Sequence, residues 1–163
     1  MEALIVYYSK KGTTRRFADA IAYQVGKRIE KVRVKSIEEV TSQDIINSDI
    51  LYMGCWTSGM FLFGQKPEKP WVDFVSKLPK VNGKQTVLFT TYAISSGNMF
   101  KRMKELLAPK GFQVIGSMKS RNGKFDYFSN GVLRYSLYNL VASPISTVKA
   151  LKTEREAVLE PAV

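Results

Sequence analysis

The 163-residue sequence contains no histidine and a single cysteine, Cys55. Without histidine there is no Ser-His-Asp triad and no His-ligated zinc; with one cysteine there is no intramolecular disulfide and no Cys-based metal site. Acidic residues are scarce, 14 against 25 lysines and arginines, for a formal net charge of +11. No uninterrupted apolar run reaches the ~18 residues of a membrane-spanning helix. The opening Met-Glu-Ala-Leu-Ile-Val has no basic n-region and reads at once as a strand, so no signal peptide and a cytoplasmic location are expected.

What is present suits a globular chain, with 45% hydrophobic and 24% charged residues in a length that accommodates one domain. The positive field attracts acidic proteins, nucleic acid or anionic lipid, or is simply a solvated surface. "ALIVYY" (Ala3 to Tyr8), "DILYMGCW" (Asp49 to Trp56), "KQTVLFTTY" (Lys84 to Tyr92) and "FQVIGSMK" (Phe112 to Lys119) read as buried strands, and alternating "KVRVKSI" (Lys31 to Ile37) as a half-exposed edge strand. Between them lie helical patterns. One carries Phe17, Ile21 and Val25 at spacing four, with Gly26 as a stop. One starts near Pro70. One, from Asn98 to Gly111, has an expected Asn cap and a stripe of Met99, Met103 and Leu106. Strands alternating with helices imply an α/β three-layer sandwich around a doubly wound, parallel, five-stranded sheet. Residues 1–119 would form its core and residues 120–163 a covering C-terminal helical segment of the same domain. The aromatics of "KFDYFSNGVLRYSLYNLV", Phe125, Tyr127, Phe128, Tyr135 and Tyr138, read as packing of a covering helix, as an exposed surface for a partner or a quinone-like substrate, or, interleaved with Arg and Lys, as a surface for single-stranded nucleic acid.

In such sheets ligands bind beyond the carboxyl ends of the strands, so three loops qualify: Ser9 to Thr14, Cys55 to Pro67, and Tyr92 to Asn98. In the first, Ser9, Thr13 and Thr14 offer hydroxyls, Gly12 lets the backbone curl, and a helix start offers free amides. A phosphate fits there, and so does an ordinary capped connection. It is neither a Walker loop nor a three-glycine dinucleotide fingerprint. Trp56 and Tyr92 each follow a central strand directly; each reads either as a flat wall for a ligand or as core packing. Met60 to Phe63 reads as buried packing or as an exposed lip for a partner or a quinone-like substrate. Cys55 reads as a small buried residue or a reactive thiol.

"YYSKKGTTRRFADAIA" resembles the phosphate loop of the flavodoxin family, with Ser9, Gly12 and Thr14 matching its pattern and Lys11 standing where that family usually has a hydroxyl. "YMGCWTSG" and "FTTYAISSGN" resemble the second and third loops, and the likeness runs in element order from about Met1 to Lys119. The resemblance implies a sheet of order 2-1-3-4-5 and flavin mononucleotide as cofactor. The phosphate would lie on Ser9, Thr13, Thr14 and the amides from Lys11 to Thr14. The ring would lie between Trp56 and Tyr92, with polar contacts from Thr57, Ser58 and Gly59 and backbone donors from Ala93, Ser95, Ser96 and Gly97. Lys10, Arg15 and Arg16 are expected to face outward; for Lys11 phosphate contact and outward display stay open. With no acid in the third loop and none in the second before Glu68, the low-potential couple is expected to be less negative than in an acidic flavodoxin. The implied function is electron transfer with an acidic redox partner; nucleic acid is not expected as a partner. The alternatives are a flavin-dependent reductase of quinones or similar small acceptors, and a flavin-free module on the same fold that binds a phosphate ligand or nucleic acid.

Overall fold

The structure is a computed structural model describing residues 1–60 and 63–142, with side chains described throughout except at 58–65. The elements are β1 (Glu2–Tyr8), α1 (Thr13–Val25), β2 (Lys31–Ser36), α2 (Ser42–Asn47), β3 (Ile50–Met60), β4 (Phe63–Pro67), α3 (Lys69–Lys77), β5 (Lys84–Thr91), α4 (Met99–Leu107), a 3-10 turn (Ala108–Lys110), β6 (Phe112–Ser120) and α5 (Tyr127–Ala142). Five strands pair in parallel in the order β2-β1-β3-β5-β6, which is 2-1-3-4-5 once the extra strand β4 is set aside. β4 runs antiparallel to the end of β3, pairing Ser58 with Lys66. The stretch expected as a loop from Cys55 is therefore a strand continued beyond the sheet and folded back on itself.

Strand alternation feeds two cores. Ala3 and Ile5 of β1 face α1 and α5 with Phe17, Ile21, Val25, Phe89, Leu133 and Leu137. Leu4 and Val6 face the other layer with Met53, Cys55, Trp71, Leu88, Met99 and Met103. Each fully buried Leu, Ile, Val, Phe or Met contributes roughly 1.5–3 kcal/mol, so both helix layers share in holding the sheet between them. The α1 stripe packs as its spacing predicts, with Phe17, Ala18, Ile21 and Val25 all buried.

Two expectations change, and one open alternative is decided. In α4 the third stripe residue is Leu107, one full turn beyond Met103, while Leu106 is only half-buried. Asn98 makes no side-chain cap; its backbone (φ −83°, ψ 13°) is not the extended conformation a capping side chain needs, and Met99 N–H instead donates to Ser96 O at 2.9 Å. The inward face of α5 is built of Ser129, Leu133, Ser136, Leu137 and Leu140, whereas Tyr127, Phe128, Tyr135 and Tyr138 are exposed. Small and branched residues let the helix lie close to the sheet; Tyr52 reaches from β3 to bond Ser136 at 3.0 Å. The tail from 143 onward and the apolar residues 61–62 lie outside the described residues, as do the side chains of Met60 and Phe63.

Along the β2 edge, Glu2 and Asp44 gather the cations of that strand. Glu2 binds Lys31 at 2.6 Å and also Arg33, while Asp44 binds Lys35 at 2.8 Å and also Arg33. Asp44 additionally closes a capping box on α2, its carboxylate accepting from Thr41 N–H at 2.8 Å. Lys35 first, then the Thr41 amide, hold its carboxyl well below the usual carboxylate range.

Candidate functional site

Parallel pairing brings the carboxyl ends of β1, β3 and β5 level: Tyr8 lies beside Cys55, Cys55 beside Thr90, and Trp56 beside Thr91. The three candidate loops leave the sheet side by side at that end. In the first, Gly12 (φ 83°) takes the left-handed conformation that turns the chain into α1, and no side chain caps the helix. Arg16 N–H donates to Gly12 O at 2.9 Å, so the amides before it have no partner within the helix. Beside them the Ser9 Oγ is buried and has no hydrogen-bond partner. A buried hydroxyl left without a partner costs about 1–3 kcal/mol. An orphan hydroxyl next to free amides is an acceptor-shaped gap, and a phosphate fits it in charge and hydrogen-bonding sense.

The other hydroxyls differ. Thr13 is half-buried, while Thr14 is buried and its Oγ1 lies 2.7 Å from that of Thr91. Thr14 thus ties the first loop to β5 through its side chain. Lys10, Lys11, Arg15 and Arg16 are exposed, and Lys10 reaches Glu68 at 3.7 Å.

Trp56 is half-buried at the end of the paired part of β3. Thr57 is buried with its Oγ1 2.8 Å from that of Thr90, whose hydroxyl donates to Cys55 O at 2.7 Å. Since Thr90 has one hydroxyl proton and spends it on Cys55 O, Thr57 is the donor of the pair and keeps only acceptor capacity for a ligand. Ser58 and Gly59 lie in the antiparallel extension of β3, their side chains outside the description. Cys55 is fully buried; burial first, then Glu68, pushes its thiol up, so it is a protonated core residue.

In the third loop Tyr92 is half-buried, its N–H donating to Ser120 O at 3.2 Å, with the Lys119 ammonium 6.0 Å from its ring centre. Ala93 is exposed and Ser96 buried. Gly97 N–H donates to the Ser95 Oγ at 3.1 Å, which curls the loop back toward α4.

Two features escaped the sequence reading. The loop between β6 and α5 packs on the first turn of α1: a Cβ on Gly123 (φ +77°) would stand 2.7 Å from Thr13 O. Arg16 leans to Asn122 O at 3.5 Å in the same place. The only sequence signal was the Asn122-Gly123 turn dipeptide. The second is the pairing of Glu68, the acid at the end of the second loop, with Lys10 beside Tyr8; burial first, then Glu68, raises the Tyr8 phenol.

Among the described residues no helix is long and apolar enough to cross a membrane. A family model described as Flavodoxin matches residues 5–131. The flavodoxin of Megasphaera elsdenii is 30% identical over 116 residues, 69% of this chain and 81% of that protein. The flavodoxin of Clostridium beijerinckii is 27% identical over 111 residues, 68% of this chain and 79% of that protein. The solution structure of the two-electron reduced Megasphaera elsdenii flavodoxin superposes with a TM-score of 0.70 at 27% identity, covering 82% of this chain and 96% of that one.

Proposed function

The chain belongs to the flavodoxin family, and from that membership we propose that it is an electron carrier working between protein partners with flavin mononucleotide, the cofactor the family implies. When bound, the flavin supplies the redox chemistry, and the protein supplies binding, orientation and electrostatics. The observation that carries this reading is the buried, unpartnered Ser9 hydroxyl beside the uncapped start of α1. Ser9, Thr13 and the amides from Lys11 to Thr14 would hold the phosphate. The Thr14 hydroxyl, bonded to Thr91, would fix where those amides stand. Trp56 and Tyr92 would flank the ring, with Thr57 as acceptor and the backbone of 58–59 and 93–97 at its polar edge.

A carrier accounts for the side chains better than a reductase does. The chain has no histidine, and Glu68, the one acid at the edge of the described site, is held by Lys10. No group stands ready for demanding proton transfer. A thiol-poor chain of this kind suits the reducing cytoplasm. The test is direct. Purified protein titrated with flavin mononucleotide should quench flavin fluorescence with submicromolar affinity and show a ~450 nm band. Failure to bind at micromolar concentration would remove the reading, and steady-state turnover of NAD(P)H with quinones would move it to the reductase.

A further inference from the structure

We propose that the junction between β6 and α5 is the docking surface for an acidic protein partner. The proposal rests on the carrier reading for its purpose and on the following observations for its place. β6 ends at Ser120, whose carbonyl holds Tyr92 N–H, so the junction borders the third loop. Lys119, Arg121 and Lys124 are exposed there, and Arg16 adds a fourth cation from α1. None of the four makes a salt bridge among the described residues, whereas the cations of β2 are held by Glu2 and Asp44. The acid of the junction, Asp126, is turned to its own helix and accepts from Ser129 N–H at 2.8 Å.

Immediately beyond, Tyr127 is 93% exposed and Phe128 67% exposed. Cations and aromatics side by side are the composition of protein interface centres. The loop is also fixed rather than loose, because Gly123 packs on Thr13 O and Asn122 Oδ1 accepts from Lys124 N–H at 3.1 Å. A preformed cationic surface steers an acidic protein into encounter and costs little to order on binding. Single-stranded nucleic acid would use the same side chains. The border with Tyr92 favours the protein, since a redox partner must settle beside the site.

The test uses a small acidic plant-type ferredoxin as probe. Backbone amide shifts of the isotope-labelled, flavin-loaded protein are followed during titration. Perturbations should centre on 119–128. R121E with K124E should weaken affinity by about tenfold at low salt, while K77E with K80E, an equal charge change at the opposite end of the sheet, should weaken it less than about threefold. Tyr127→Ser with Phe128→Ser should weaken it also at high salt. Equal losses from the two charge pairs would reduce the effect to net charge and overturn the proposal. So would perturbations elsewhere, or a junction that responds to a single-stranded oligonucleotide and not to the ferredoxin. Failure to take up flavin shows in the absorption spectrum and sinks the carrier reading; the shift map still decides the docking surface.

Discussion

The hydroxyls of Thr14 and Thr91 lie 2.7 Å apart in a buried contact between residues 77 positions apart in the chain. The bond couples the start of α1 to the end of β5, and hence the first candidate loop to the third. Replacing either threonine by valine keeps the shape and strands the other hydroxyl, at a cost of about 1–2 kcal/mol. Chemical denaturation should show that loss in T14V and in T91V. The double variant should recover part of it, because no buried hydroxyl is then left unpaired. A fully additive double variant would count against the coupling.

Ser9 should behave in the opposite sense. Its Oγ has no partner in the protein, so Ser9→Ala removes an unpaired buried group and should leave the flavin-free protein as stable as before or slightly more so. Affinity for flavin mononucleotide should fall by about tenfold, the value of one hydrogen bond to a charged acceptor. Denaturation of the apoprotein and fluorescence titration read the two effects separately. An apoprotein destabilised with unchanged affinity would make Ser9 a structural residue.

Acid should act on the β2 edge. The depressed carboxyls of Asp44 and Glu2 favour the folded state when ionised; at Glu2 burial pushes upward but the bonds to Lys31 and Arg33 outweigh it. Their contribution is complete above the ordinary carboxylate range near pH 4 and drains away as pH falls below it toward the folded-state values. Stability measured against pH should decline from about pH 4 downward. Asp44→Ala should cost about 3 kcal/mol at neutral pH, since it leaves Arg33 and Lys35 short of a counter-charge, and should flatten the acid limb.

The redox potential offers a further check. Lys119 stands 6.0 Å from the Tyr92 ring centre and the described third loop carries no acid. That field eases added negative charge on the cofactor. Spectroelectrochemical titration should give a low-potential couple less negative than in acidic flavodoxins. Lys119→Glu should move it negative on the order of tens of millivolts, as for one reversed charge on an exposed, solvent-screened side chain. A strongly negative couple in the unaltered protein would contradict this.

Much of the fold was legible because its signals are local. Continuous apolar runs marked β1, β3, β5 and β6. Alternation marked β2 as an edge, and the Phe17-Ile21-Val25 spacing marked the buried side of α1. What escaped depends on partners distant in sequence. β3 runs on past Trp56 with Thr57 bonded to Thr90, 33 residues away, and with β4 folding back to pair with it. Asn98 looked like a cap, but capping is decided by backbone angles. The aromatics of α5 read equally as packing or as an exposed surface, because size alone does not say which face meets the sheet; the leucines at 133, 137 and 140 had the spacing that does. The three loops could be read as a site, but not the β6–α5 loop that leans on the first of them, because nothing near Gly123 in sequence mentions Thr13.

Thr90 and Thr91 are neighbours whose hydroxyls go to different elements, one to Thr57 of β3 and one to Thr14 at the start of α1. One dipeptide at the end of a central strand is therefore the meeting point for segments drawn from across the chain. Local pieces cannot assemble this site in advance of the sheet: β5 has to be zipped between β3 and β6 first. Loop-closure entropy is then met before the site's own contacts form. In native-state hydrogen exchange, the Thr90 and Thr91 amides should open only with the global transition, and the site should appear late and all at once during refolding.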